Sequence, residues 1–143
     1  MGFTVLEPEV PGGWGARIAA DVSTHPPHVQ RLHVELDGWL GDDLLESFPC
    51  FIVTDRLARV LEQSKLTGFA LDSVEITRSP EFDELHPGAV LPAFRWLRIS
   101  GRAGVDDSGL AADLRLVASP AAISLLRPFA IAHADQSPYA ESR

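Results

Sequence analysis

Cysteine, lysine, methionine and tyrosine each occur once, as Cys50, Lys65, Met1 and Tyr139. One thiol cannot form an internal disulfide, and its isolation fits a reducing compartment. No apolar run approaches the roughly 18 residues that a membrane helix requires. Met1 to Val10 contains Glu7 and Glu9 and lacks both a basic start and an apolar stretch, so no secretory signal is expected and the cytoplasm is the expected location. Positive charge is also scarce. Twelve basic residues stand against twenty acidic ones, giving a net charge of −8, and no basic run gathers the twelve into a strip. A phosphate polymer or an anionic membrane would be repelled, so neither nucleic acid nor membrane is an expected partner. The phosphate-binding G-x-G-x-x-G, the G-x-S-x-G elbow, H-E-x-x-H and C-x-x-C are all missing, and no cofactor is expected.

What is present is an ordinary globular composition. The chain has 143 residues, 45% of them apolar and 22% charged. That length predicts a single domain over residues 1–143, able to bury roughly 70% of its unfolded surface without a metal or disulfide staple. Phe3 to Leu6 reads as a first strand, and Pro11 to Gly15 reads as a loop by composition. Ala16 to Val22 is a further candidate strand, and His25–Pro26–Pro27–His28 is a breaker. From Arg31 to Asp37, Leu32, Val34 and Leu36 alternate with His33, Glu35 and Asp37, which predicts a half-buried strand. Phe51–Ile52–Val53 is continuously apolar, as expected of a strand covered on both faces.

Thr54 then stands as a helix N-cap with Asp55 in the first turn. Leu57, Val60 and Leu61 mark an amphipathic helix over residues 55–65, and Gly68 is the expected stop. Leu71 to Thr77 reads as a strand, residues 79–93 as a proline-rich loop, and Phe94 to Ser100 as another strand. Leu114, Leu116 and Val117 form the next strand. Ser119–Pro120 opens a second helix that ends at Pro128, and Phe129 to Ala134 is the last strand before a tail that frays from Gln136. Residues 42–69 and 107–133 share one pattern of acidic turn, buried strand, hydroxyl N-cap, short helix and return strand. Asp42 precedes Thr54, and Asp107 precedes Ser119, by the same twelve positions. This fits either a duplication or two ordinary strand–helix–strand pieces. The fold class expected is α+β: a mixed, mainly antiparallel sheet with two short helices on one face.

Among candidate chemical groups, Cys50 lies in Phe48–Pro49–Cys50–Phe51, an apolar setting that raises a thiol's pKa and predicts a buried structural residue. His33, Glu35 and Asp37 share one strand face and mix imidazole with carboxylates, as divalent-metal sites do. They are the basis of an alternative reading as a small metal-dependent or acid/base enzyme; the simpler reading is the wet face of a strand. Asp42–Asp43 and Asp106–Asp107 are either turn caps or an acidic surface for a basic partner.

The two repeated units carry a resemblance. Gly41–Asp42–Asp43–Leu44, Phe51 to Leu57 and Leu66–Thr67–Gly68–Phe69 resemble a bacterial immunity-protein-like family. This family groups immunity components of polymorphic toxin systems with the myxobacterial double-CXXCG proteins. In the second half Phe94–Arg95–Trp96–Leu97, Gly104, Asp106–Asp107, Val117–Ala118–Ser119, Leu125–Leu126 and Phe129 to Tyr139 continue the likeness, which spans residues 32–139. With one cysteine the chain departs from the paired C-x-x-C elements that hold zinc in some members, so no structural metal is implied. The resemblance implies a protein without catalytic residues that binds and blocks a cognate toxin. Asp42, Asp43, Asp106 and Asp107 are then the expected contacts for a basic protein partner.

Overall fold

The computed structural model describes residues 2–140. Thirteen strands and three helices are present among them. In chain order they begin with β1 (Thr4–Glu7), β2 (Gly12–Trp14), β3 (Ala19–Asp21), β4 (His28–Arg31), β5 (His33–Leu36), β6 (Leu44–Ser47) and β7 (Cys50–Thr54). Helix α1 (Asp55–Gln63), β8 (Phe69–Asp72), β9 (Glu75–Arg78), α2 (Pro80–Leu85) and β10 (Phe94–Ile99) follow. The chain closes with β11 (Ser108–Leu110), β12 (Leu116–Ala118), α3 (Pro120–Leu126) and β13 (Asp135–Pro138). The class is α+β with mainly antiparallel sheets, as expected, but with three short helices in place of two. None of the helices is long and apolar enough to cross a membrane.

Two four-stranded antiparallel sheets dominate, ordered β6-β7-β10-β8 and β11-β12-β1-β13. They are built alike. Each begins with a hairpin, β6–β7 or β11–β12, whose second strand runs directly into a helix. The strand after that helix, β8 or β13, lies two places away. The strand between them comes from elsewhere. β10 enters the first sheet beside β7, and β1 enters the second beside β12. If each half of the chain is read as lead strand, hairpin, helix and return strand, each half lends its lead strand to the other half's sheet. The registers agree: Leu97 pairs with Phe51 as Leu6 pairs with Leu116, and Trp96 pairs with Ile52 as Val5 pairs with Val117.

The exchange produces one shared core. Leu6, Leu44, Phe51, Val53, Leu57, Leu61, Leu97, Leu116, Ala122 and Leu126 form a single buried cluster drawn from both sheets, α1 and α3. The alternate residues Leu45, Cys50, Ile52, Phe94 and Trp96 point to a second cluster with Val34, Leu36 and Phe82. A three-stranded sheet, β2-β5-β9, contributes Val34 and Leu36 to it, with β5 and β9 parallel. β3 and β4 pair as a separate ribbon.

Several boundaries differ from those expected. α1 ends at Ser64, whose N–H bonds Leu61 O, and not at Gly68. Residues 79–93 are not all loop, because Ser79 accepts from Phe82 N–H and Pro80 opens α2. Gly12–Trp14 is a strand, held by antiparallel pairing to β5. The final strand is not Phe129 to Ala134 but Asp135–Pro138, four exposed residues that pair along β1. The fraying expected from Gln136 is therefore absent as far as Pro138; residues 141–143 lie outside the described part.

Candidate functional site

The four aspartates expected to face a partner lie immediately before β6 and β11. Asp43 is 1% exposed. Its carboxylate accepts from the Thr54 hydroxyl, from Arg56 Nε at 2.7 Å and Nη2 at 2.5 Å, and from Ala130 N–H at 2.8 Å. Its backbone carbonyl also accepts from Thr54 N–H at 2.9 Å. Asp107 repeats this in the second unit: Ser119 Oγ donates to its carboxylate at 2.6 Å and Ser119 N–H to its carbonyl at 2.8 Å. Thr67 N–H completes it at 2.9 Å. Thr67 follows α1 and Ala130 follows α3, so each aspartate fixes the chain leaving the other unit's helix. Asp42 is also 1% exposed, and Asp106 accepts from Arg102 N–H at 2.7 Å.

These positions correct the expectation of an acidic contact surface at Asp42 and Asp43, which are interior and engaged by internal donors. Asp106 and Asp107 are half-buried and also accept from internal donors, as turn caps do. The electrostatics agree. Burial would raise Asp43, but the hydrogen bonds from Arg56, Thr54 and Ala130, with the Arg56 charge, hold it below the ordinary carboxylate value. The Ser119 hydroxyl and Thr67 N–H hold Asp107 low, partly opposed by burial.

The His33, Glu35 and Asp37 face is corrected in part as well. His33 and Glu35 alternate on β5, but the strand ends at Leu36 and Asp37 falls in the bend after it. His33 is buried, Glu35 partly so, and Asp37 is exposed. Both ring nitrogens of His33 are taken: Nδ1 accepts from Arg17 N–H at 2.9 Å, and Nε2 lies 2.8 Å from Thr77 Oγ1. The ring packs on Gly15, where any Cβ would collide with it. His33 is a satisfied core histidine and offers no free nitrogen to a metal. Cys50, too, is buried, with its thiol pushed up to about 12 by burial.

A different constellation emerges where β1 leaves its sheet and runs beside β6. Glu9 bridges to Leu45, and its carbonyl accepts from Glu46 N–H at 2.9 Å. One donor atom each from Glu9, Asp42 and His133 lies within 4.8 Å of the others. Asp42 accepts from His133 N–H at 2.8 Å and lies 2.9 Å from its Nδ1. Leu40 N–H reaches Glu9 Oε2 at 3.2 Å, whereas Glu9 Oε1 is shielded from solvent and has no partner. Burial, aided by the Asp42 charge, raises the Glu9 pKa against the opposing Leu40 N–H and His133; the bond to Asp42 raises that of His133. Sequence reading missed this trio because Glu9, Asp42 and His133 follow no ligand spacing and meet only through the strand exchange.

Beside it runs a shallow groove lined by Val10, Gly12, Gly13, Trp14, Ser47 and Phe48. Val10 is 65% and Phe48 48% exposed. Glu7, Glu9 and Glu46 flank these residues, and Glu46 is close enough to Glu7 for that charge, after burial, to raise its pKa. No protein-family model, curated protein or solved structure matches the chain.

Proposed function

We propose that the protein is a non-enzymatic binding protein of the immunity type, which neutralises a cognate toxin by seating a basic surface of it on the groove between Val10 and Phe48. The observation that carries this reading is the juxtaposition of exposed apolar side chains with carboxylates. Val10 and Phe48 offer apolar area with Trp14 between the strands, while Glu7 and Glu46, near each other on β1 and β6, add negative charge close by. Buried aromatic anchors surrounded by a polar rim are the usual anatomy of a protein interface. The overall charge of −8 steers a cationic partner toward the molecule. Eight of the twelve cations are locally answered, since Arg17, Arg31, Arg56, Arg59, Arg78, Arg95, Arg98 and Arg115 each pair with a carboxylate. An enzyme built on the His33 strand face draws no support from the geometry, because His33 has no free nitrogen.

The test is co-expression with each toxin-like product that a neighbouring gene encodes. The wild-type chain restores growth and associates with that product at a rate that falls as salt rises. Val10→Asp combined with Phe48→Asp abolishes protection without unfolding the chain. Protection that survives the double variant removes the groove from the interface; failure of the wild type to protect removes the immunity reading.

A further inference from the structure

We propose that Glu9, Asp42 and His133 form a binding site for a divalent transition-metal ion, with Zn²⁺ the best fit. Two carboxylates and an imidazole, each offering a donor atom within 4.8 Å of the others, make a three-ligand set of the kind that leaves further coordination positions open. The charge at this point is incompletely answered. Among the described residues, no arginine or lysine pairs with Glu9 or Asp42, and His133 is the only cationic group in reach. Glu9 Oε1, sealed from solvent without a donor, is the kind of orphaned acceptor that a cation satisfies. The ligands are also held in place. Leu40 N–H fixes Glu9 Oε2, His133 N–H fixes Asp42 Oδ2, and the Trp39 indole donates to Asp42 O at 2.9 Å. An ion has a path in, since the His133 side chain is 44% exposed.

The second unit supplies an internal control. Its corresponding corner, where β10 leaves its sheet, is built from Asp106, Gly68 and Gly101. A Cβ at Gly68 would lie 2.9 Å, and one at Gly101 2.7 Å, from Asp106 Cβ. There the aspartate is kept and the neighbouring positions close up on it with no side chain. The fold can therefore turn this corner without a glutamate and a histidine, so their convergence on Asp42 asks for another explanation, and a cation supplies one.

Titration of ZnCl₂ into chelator-stripped protein, followed by calorimetry, decides the matter. One ion per chain is expected, with a matching rise in melting temperature. Glu9→Gln and His133→Ala each weaken binding tenfold or more, whereas His25→Ala, which removes an exposed imidazole elsewhere, leaves it unchanged. Glu9→Gln is isosteric and keeps the Leu40 contact, so it decides the outcome if His133→Ala fails to fold. No binding by the wild type, or binding that Glu9→Gln leaves unaltered, overturns the site. The groove reading does not depend on the result, because it is read out by protection.

Discussion

The two hairpin–helix units differ in how deeply they set the same acidic residue. Both begin with an aspartate that receives a hydroxyl and an N–H from the helix N-cap and an N–H from the chain beyond the other helix. Asp43 does this in the interior with Arg56 laid across it, and Arg56 also stands 5.6 Å from the centre of the Phe129 ring. Asp107 does it nearer the surface, with Thr67 in place of an arginine. Burial makes each hydrogen bond harder to replace with water, so equal bond patterns carry unequal energies. The shared geometry belongs to both units, and the additional charge belongs to the unit whose Asp42 meets Glu9 and His133.

The largest expected effect tests whether the halves are truly exchanged. Leu6 and Leu97 occupy matching places on the two lent strands, at 0% and 6% exposure. Truncating either one to alanine removes a buried leucine from the core both units share and is expected to cost about 3 kcal/mol. Urea unfolding should show one transition for each variant. A large loss for one and a negligible loss for the other would mean that only one sheet depends on its borrowed strand.

A smaller and deliberately unequal pair sharpens the comparison. Asp43→Ala strips the acceptor from the Thr54 hydroxyl and Ala130 N–H and releases the exposed Arg56, and should cost about 2 kcal/mol, the scale of leaving interior donors unpaired. Asp107→Ala exposes its donors to water that already reaches them, and should cost about 1 kcal/mol. Equal losses in chemical denaturation would show that depth does not separate the two.

Much of this was legible in the sequence, and the failures have identifiable causes. The alternation of β5, the apolar run of β7 and the Ser119–Pro120 opening of α3 declare themselves locally, but the match of Asp42 with Asp107 is one residue out, because Asp43 is the aspartate that bonds Thr54 as Asp107 bonds Ser119. Ser79–Pro80, with Glu81 and Asp83 in the following turn, carried the same opening signal for α2; the nearby Pro87, Gly88 and Pro92 obscured it. β2 and β13 carry no such signal. Gly–Gly–Trp and Asp–Gln–Ser–Pro are strands because β5 and β1 offer them hydrogen bonds, and no pattern of their own requires it. The exchange of β1 and β10 is equally invisible to periodicity, and with it the meeting of Glu9, Asp42 and His133. The aspartate pairs were legible as residues with a role, but the choice between turn cap and partner contact needed the burial of Asp42 and Asp43.

The smallest effect concerns acid. Asp107 has its pKa held below the ordinary 3.8 in the folded chain by the Ser119 hydroxyl and Thr67 N–H. A group depressed on folding contributes stability that is fully present above its unfolded value and is lost as pH falls through its folded value. Asp107→Asn removes the ionisation, so the variant should be less stable than the wild type by a constant amount near neutrality. That gap should then narrow below about pH 4, where the wild-type carboxylate takes up its proton and loses the charge that strengthens both bonds. Melting temperatures of the two proteins across pH 7 to pH 3 would show converging curves. Parallel curves over the whole range would mean that Asp107 acts through the shape of its turn alone, and that the charge of this aspartate, unlike its geometry, is dispensable to the second unit.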